Sequence, residues 1–279
     1  MSSASSPAAR GPIGIFDSGL GGLSVLREAQ RQMPRESILY FADTANVPYG
    51  DKPLSVVRDL ALCLTDKLIQ RGCKLVLMAS GTSTVAGLQA AQQRFPHVPI
   101  LGTIDVGAQV AVAATSGPIG VLSTHATAHS RAFTRAVQTL APGRAVTEQG
   151  CPRFVPLVEA GRAESPDARD AALEYLSPLR AAGAEAIILG CTHFPFLLPA
   201  LHKAASRWPA FRPVFVDPAA DVVRQAAALL AARGELAPAD ALPTLEFAAT
   251  GAPETFSRHA AALLGHALPP AVPLSLTDP

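Results

Sequence analysis

Short apolar runs alternate along the chain with longer segments of helical period. Residues 13–16, 38–41, 75–78, 119–122, 186–189 and 214–216 are compact runs of Ile, Leu, Val, Phe and their like, each of strand length. Between them, at 22–32, 54–70, 84–94, 125–139, 166–182 and 221–233, apolar residues recur at three- and four-residue spacing, which predicts helices. Strands that read as continuous apolar runs are covered on both faces, and their alternation with helices predicts parallel βαβ units, an α/β fold. A chain of 279 residues can form two such lobes or one large domain. The stretches 102–108 and 203–213 read as crossings between lobes, with the strand at 214 returning to the first. That division gives a first lobe of 11–103 plus 214–265, a second of 104–213, and a frayed, flexible Ser- and Ala-rich tail at 1–10.

Each apolar run ends in a small or polar cluster: Asp17-Ser18-Gly19, Asp43-Thr44, Ser80-Gly81-Thr82, Ser123-Thr124, Cys191-Thr192-His193 and Asp217. In parallel sheets these clusters gather at the carboxyl edges, where open α/β sheets carry their chemistry. Cys191-Thr192-His193 is the richest of them. A lone Cys is usually a small buried hydrophobe, but a thiol, a hydroxyl and an imidazole in succession make poor core material. A Cys with a nearby His is a candidate nucleophile or base. Gly19-Leu20-Gly21-Gly22 lies between a strand and a helix yet departs from the GxGxxG fingerprint of dinucleotide sites. Its backbone N–H groups suit a carboxylate as well as a phosphate. Pro48-Tyr49-Gly50, taken alone, reads as a turn.

Charge narrows the partners. Twenty-three basic and 22 acidic residues nearly cancel, so no whole-molecule field favours nucleic acid or an acidic membrane surface, and a small neutral or zwitterionic ligand fits better. No run of about 18 uncharged apolar residues predicts a membrane span. The four cysteines, Cys63, Cys73, Cys151 and Cys191, are widely spaced and form no CxxC pair, which reads as reduced thiols in a cytoplasmic protein. The first ten residues lack the apolar core of a signal peptide.

Four blocks in order carry a resemblance: Ile13-Gly14-Ile15-Phe16-Asp17-Ser18-Gly19-Leu20-Gly21-Gly22; Phe41-Ala42-Asp43-Thr44 with Pro48-Tyr49-Gly50; Cys151-Pro152 with Phe154-Val155-Pro156-Leu157-Val158-Glu159; and Leu189-Gly190-Cys191-Thr192-His193-Phe194-Pro195. They resemble the signature blocks of glutamate racemases, in register from about Gly11 to the Asp217 region. The resemblance implies two doubly wound parallel-sheet lobes with the active site between them, catalysis without pyridoxal phosphate or metal, a small dicarboxylate substrate and, commonly, a homodimer. It makes Cys191 one of two opposed catalytic thiols, with Thr192 binding substrate and His193 assisting. Asp17 and Ser18 become first-lobe contacts, Tyr49 and Gly50 the segment that meets the side-chain carboxylate, Thr124 and Thr127 second-lobe hydroxyls, and Glu159 a carboxylate beside the site.

One block departs. Where the family reads Ala-Cys-Asn-Thr, this chain reads Ala79-Ser80-Gly81-Thr82. A hydroxyl is a far weaker acid than a thiol, whose ordinary pKa is about 8.5, so Ser80 needs a base of its own. Gly81 lacks the amide that the family sets against its substrate. Cys73 stands at the start of the same strand, at its opposite edge, and cannot stand in. Racemisation takes a proton from one face and returns one to the other, so the departure predicts impaired two-base chemistry that Ser80→Cys with Gly81→Asn would rebuild. Three functions follow: a glutamate-type racemase supplying D-glutamate for peptidoglycan precursors, a non-catalytic or regulatory glutamate-binding paralogue, or a single-thiol decarboxylase. The last resembles the arylmalonate decarboxylases, whose carboxylate-holding stretch Gly81-Thr82-Ser83 matches.

Overall fold

The computed structural model describes residues 7–277. Among the described residues ten strands, all parallel to their neighbours, form two sheets. In chain order they are β1 (Ile13–Asp17), β2 (Ile38–Ala42), β3 (Leu75–Met78), β4 (Ile100–Leu101), β5 (Ile119–Ser123), β6 (Val146–Gly150), β7 (Ala186–Leu189), β8 (Val214–Val216), β9 (Leu245–Ala249) and β10 (Val272–Pro273). One sheet has the order β10-β9-β2-β1-β3-β4 and the other β6-β5-β7-β8. The helices are α1 (Leu23–Gln32), α2 (Leu54–Gln70), α3 (Gly81–Arg94), α4 (Ile104–Ala114), α5 (His125–Ser130), α6 (Ala132–Leu140), α7 (Phe154–Glu159), α8 (Pro166–Ala181), α9 (Leu198–Ala205), α10 (Ala219–Arg233) and α11 (Pro253–Leu264).

Each sheet is covered on both faces, which is why its inner strands are apolar throughout. In the first sheet, Ile13, Ile15, Tyr40, Leu75 and Leu77 pack with α1, α10 and α11, while Phe16, Phe41, Val76 and Met78 face the other way against α2 and α3. In the second, Leu122, Ile187 and Leu189 pack with α7, α8 and α9, and Ile119, Val121 and Ile188 pack with α4 and α6. Every residue of β1, β2, β3, β5 and β7 is buried. The two doubly wound lobes of the α/β expectation are present.

Several sequence expectations change. The strand at Val214 does not return to the first lobe: β8 pairs with β7, Ile188 opposite Val216, and extends the second sheet. The chain crosses back only beyond it, where α10 packs against α1 and Gln32 Nε2 donates to the Ala220 carbonyl at 2.9 Å. The supposed crossings are partly helical, since 102–108 runs into α4 and Lys203 lies in α9. The helix expected over 125–139 breaks into α5 and α6 at Arg131, whose φ of 57° is left-handed. The helix expected from Thr84 starts at Gly81, because Ser80 caps it. Of the supposed frayed tail, residues 1–6 lie outside the described residues. Pro7–Arg10 forms a 3₁₀ turn with Ala9 buried, and the Ala9 carbonyl accepts from Lys74 Nζ at 2.9 Å. Lys74 is anchored in turn by Glu36 at 2.6 Å, so this end of the segment is fastened.

Candidate active site

The carboxyl ends of β1, β3, β5 and β7 face one another across the join of the lobes. Thr192, just past β7, donates its hydroxyl to the Ala79 carbonyl past β3 at 2.8 Å. Thr82 in the first turn of α3 lies 3.0 Å from the Thr124 hydroxyl and 3.3 Å from that of Thr127, and Thr124 and Thr127 are 3.0 Å apart. This buried triangle of hydroxyls spans both lobes. Each hydroxyl can donate or accept, so the set can turn its donors to a carboxylate oxygen when one enters.

Beside it lies a line of titratable groups. Cys191 Sγ is 3.7 Å from His193 Nδ1, and His193 Nε2 is 2.7 Å from Glu159 Oε1. Glu159 also accepts from the Leu20 N–H at 2.7 Å. Asp17 Oδ2 lies 4.0 Å from His193 Nδ1 and accepts from the Gly22 N–H at 3.0 Å. The imidazole is thus flanked by a thiol and one carboxylate on its Nδ1 side and by a second carboxylate on its Nε2 side.

The surroundings tune these groups. Burial alone would depress His193, but its hydrogen bonds to Cys191 and Glu159 and the charge of Asp17 prevail and hold it well above the usual imidazole range. Burial pushes Glu159 up, yet the hydrogen bond and charge of His193 with the Leu20 N–H bring it below the ordinary carboxylate range. For Asp17 burial wins over His193, and its carboxyl is raised.

The glycine-rich turn after β1 has a steric purpose. A Cβ on Gly21 would fall within the His193 ring, and one on Gly19 would meet the Glu159 carboxylate. The turn lets the second lobe's imidazole and carboxylate rest directly on first-lobe backbone, so its glycines answer to close packing and need no phosphate.

On the opposite side Ser80 caps α3, its hydroxyl accepting from the Ser83 N–H at 3.2 Å. Among the described residues no carboxylate or imidazole hydrogen-bonds it. Gly81 touches the other lobe: a Cβ there would strike the Gly190 carbonyl oxygen. Cys73 lies at the amino end of β3 among Leu68 and Gly14, and burial pushes its thiol up to about 12. Cys151 is fully buried and its thiol is likewise raised by burial.

The remaining residues expected at the site gather there. Ser18 is buried next to Asp17. Tyr49 and Gly50 lie in a 3₁₀ turn against Thr124, close enough that a Cβ on Gly50 would be 2.6 Å from that of Thr124. The Tyr49 hydroxyl is turned away from this face and donates to Asp43 Oδ2 at 2.6 Å. In the sequence Asp43 is a strand-end residue within one of the resemblance blocks, with no role of its own assigned. Its six-residue spacing to Tyr49 was the available signal, but nothing local says that the two side chains meet.

Comparison with known proteins agrees with this geometry. The Asp/Glu/hydantoin racemase family model matches residues 20–226. A glutamate racemase from Microcystis aeruginosa is 44% identical over 254 residues, covering 91% of this chain and 88% of its own. Among solved structures, a glutamate racemase isoform from Bacillus anthracis superposes with a TM-score of 0.89 at 29% identity, covering 96% of this chain and 98% of its own. The glutamate racemase of Francisella tularensis, solved with D-glutamate, gives 0.88 at 27% identity, covering 96% and 99%. Matched over most of its length in both sequence and architecture, this chain belongs to the Asp/Glu/hydantoin racemase family, among the glutamate racemases.

Proposed function

We propose that this chain acts on glutamate at the join of its lobes, with Cys191 as the dominant acid/base group, and that Ser80 makes its proton transfer one-sided. The observation that carries the reading is the chain of contacts from Cys191 through His193 to Glu159, together with a Ser80 hydroxyl that caps α3. Cys191 takes the α-proton from one enantiomer, with His193 Nδ1 beside its sulfur. Thr82, Thr124, Thr127 and Thr192 receive the carboxylates, with Ser18, Tyr49, Gly50 and Gly81 completing the walls. On the other face a serine without a base returns a proton slowly, and each tenfold loss there corresponds to about 1.4 kcal/mol of barrier. The product would be D-glutamate for peptidoglycan precursors, made in the cytoplasm by a homodimer without pyridoxal phosphate or metal, as the resemblance implies.

The test is incubation with each glutamate enantiomer in deuterated water, following deuterium entry and optical rotation together. Exchange should outrun inversion: the enantiomer whose α-proton faces Cys191 takes up deuterium with retention, and the other is nearly inert. Cys191→Ala should abolish exchange. Equal, fast racemisation from both enantiomers would mean that Ser80 or a water serves as a competent second base.

A second reading, a single-thiol decarboxylase, is favoured by one feature. Gly81, Thr82 and Ser83 form the first turn of α3, and the buried Ser83 hydroxyl has no hydrogen-bond partner among the described residues. Calorimetry separates the two: tight binding of phenylmalonate with no response to glutamate would favour the decarboxylase.

A further inference from the structure

Asp43 is completely buried at the end of β2, with no cation paired to it among the described residues. Both of its oxygens are nevertheless satisfied, which a buried carboxylate requires. Oδ2 accepts from the Tyr49 hydroxyl at 2.6 Å, while Oδ1 accepts from Thr250 Oγ1 at 2.6 Å and Asn46 Nδ2 at 2.9 Å. Thr250 follows β9, and the loop after Asp43 is stitched to it twice more: Ala45 N donates to Thr250 Oγ1 at 3.0 Å and Gly251 N to Thr44 Oγ1 at 2.9 Å. One carboxylate therefore joins the end of β2, the end of β9 and the Tyr49-Gly50 turn that abuts Thr124 of the other lobe.

We infer that Asp43 is a positioning residue: it consumes the Tyr49 hydroxyl and fixes the Tyr49-Gly50 turn so that this turn meets the ligand's distal carboxylate through its main chain. Burial, then the Asp43 charge, keep the Tyr49 hydroxyl protonated far beyond neutral pH, so it stays a donor. A Tyr49 ring held inward leaves Gly50 as the surface presented to Thr124, and only a residue without a side chain fits that gap. The specificity consequence is that ligands bearing a distal carboxylate depend on Asp43, whereas alanine does not. This rests on the reading of the cleft as a glutamate site.

The experiment compares Asp43→Asn, Tyr49→Phe and their double variant in the full chain by two readouts. The first is amide hydrogen exchange over 46–52, which needs no ligand. Both single variants should exchange there about tenfold faster, the loss of one good hydrogen bond, with the amides of β1 unchanged. The second is glutamate-dependent α-deuteration, in which Asp43→Asn should raise KM about tenfold while kcat holds within about threefold. The double variant should be no worse than Asp43→Asn alone, as expected when the Tyr49 hydroxyl acts only through its bond to Asp43, and alanine binding should not move. Unchanged exchange over 46–52, additive effects in the double variant, or equal losses in kcat and KM would overturn the assignment. Should Asp43→Asn fail to fold, Tyr49→Phe, which removes a single oxygen, carries both readouts. If the parent protein leaves glutamate untouched, the proposed function falls, and the exchange readout alone decides the role of Asp43.

Discussion

His193 and Glu159 show how two residues 34 positions apart set each other's charge. Glu159, held below its usual 4.5 in the folded protein, contributes stability that is present above that value and lost as the pH falls through its lower folded value. His193, held well above 6.5, contributes stability that is complete below 6.5 and lost as the pH rises through its higher folded value. The pair is therefore strongest between about pH 4.5 and 6.5. Glu159→Gln should cost about 2 kcal/mol there, the worth of a charge-assisted hydrogen bond, and progressively less towards strong acid and strong alkali. Urea denaturation of parent and variant across pH checks this, and a gap that stays constant with pH would mean that the pair is not ionised.

At the level of elements, Ser80 serves two ends. As the N-cap of α3 it answers one of the unpaired first-turn amides, and Ser80→Ala should cost about 1 kcal/mol in thermal or chemical denaturation. Ser80→Cys should lose a similar amount, because sulfur is the weaker acceptor. It would place a thiol at a helix N-terminus, where the dipole favours the thiolate. Inversion should then rise relative to exchange even as the protein melts earlier, and a stable variant without added inversion would dissociate the two roles. The junction of α5 and α6 offers an independent check. Arg131 holds a left-handed backbone at φ 57° that suits glycine, so Arg131→Gly should gain about 0.5–1 kcal/mol. A loss on that substitution would show that the arginine side chain contributes more than its backbone costs.

For the whole molecule, Gly81 lies so close to the Gly190 carbonyl that a side chain added there would press on the other lobe. This contact revises how the departing block can be rebuilt. Ser80→Cys leaves it untouched, but adding Gly81→Asn drives a side chain into the backbone of the other lobe. Gly81→Asn should therefore hold the lobes apart, increasing the radius of gyration seen by small-angle scattering and weakening glutamate binding about tenfold, as when cleft-wall groups lose register. Unchanged scattering and affinity would mean that the Gly190 carbonyl yields locally.

Local pattern sufficed for much of this protein. Strands buried on both faces are apolar along nearly their whole length, so β1, β2, β3, β5 and β7 stand out, and with them the α/β class and the polar strand ends where Cys191, Thr192 and His193 emerge. Strands such as β6, whose Val146-Thr147-Glu148-Gln149-Gly150 is half-buried, and the two-residue β4 and β10 carry no such signature because an edge is wetted or too short. Which lobe receives Val214–Val216 was settled only by pairing with β7, since an apolar triplet satisfies either sheet. The same holds for the residues that complete the site. Glu159 meets His193 within the second lobe, Asp43 captures Tyr49 within the first, and Gly21 makes room for the His193 ring where the lobes meet, contacts that depend on tertiary packing and that no local run of residues encodes.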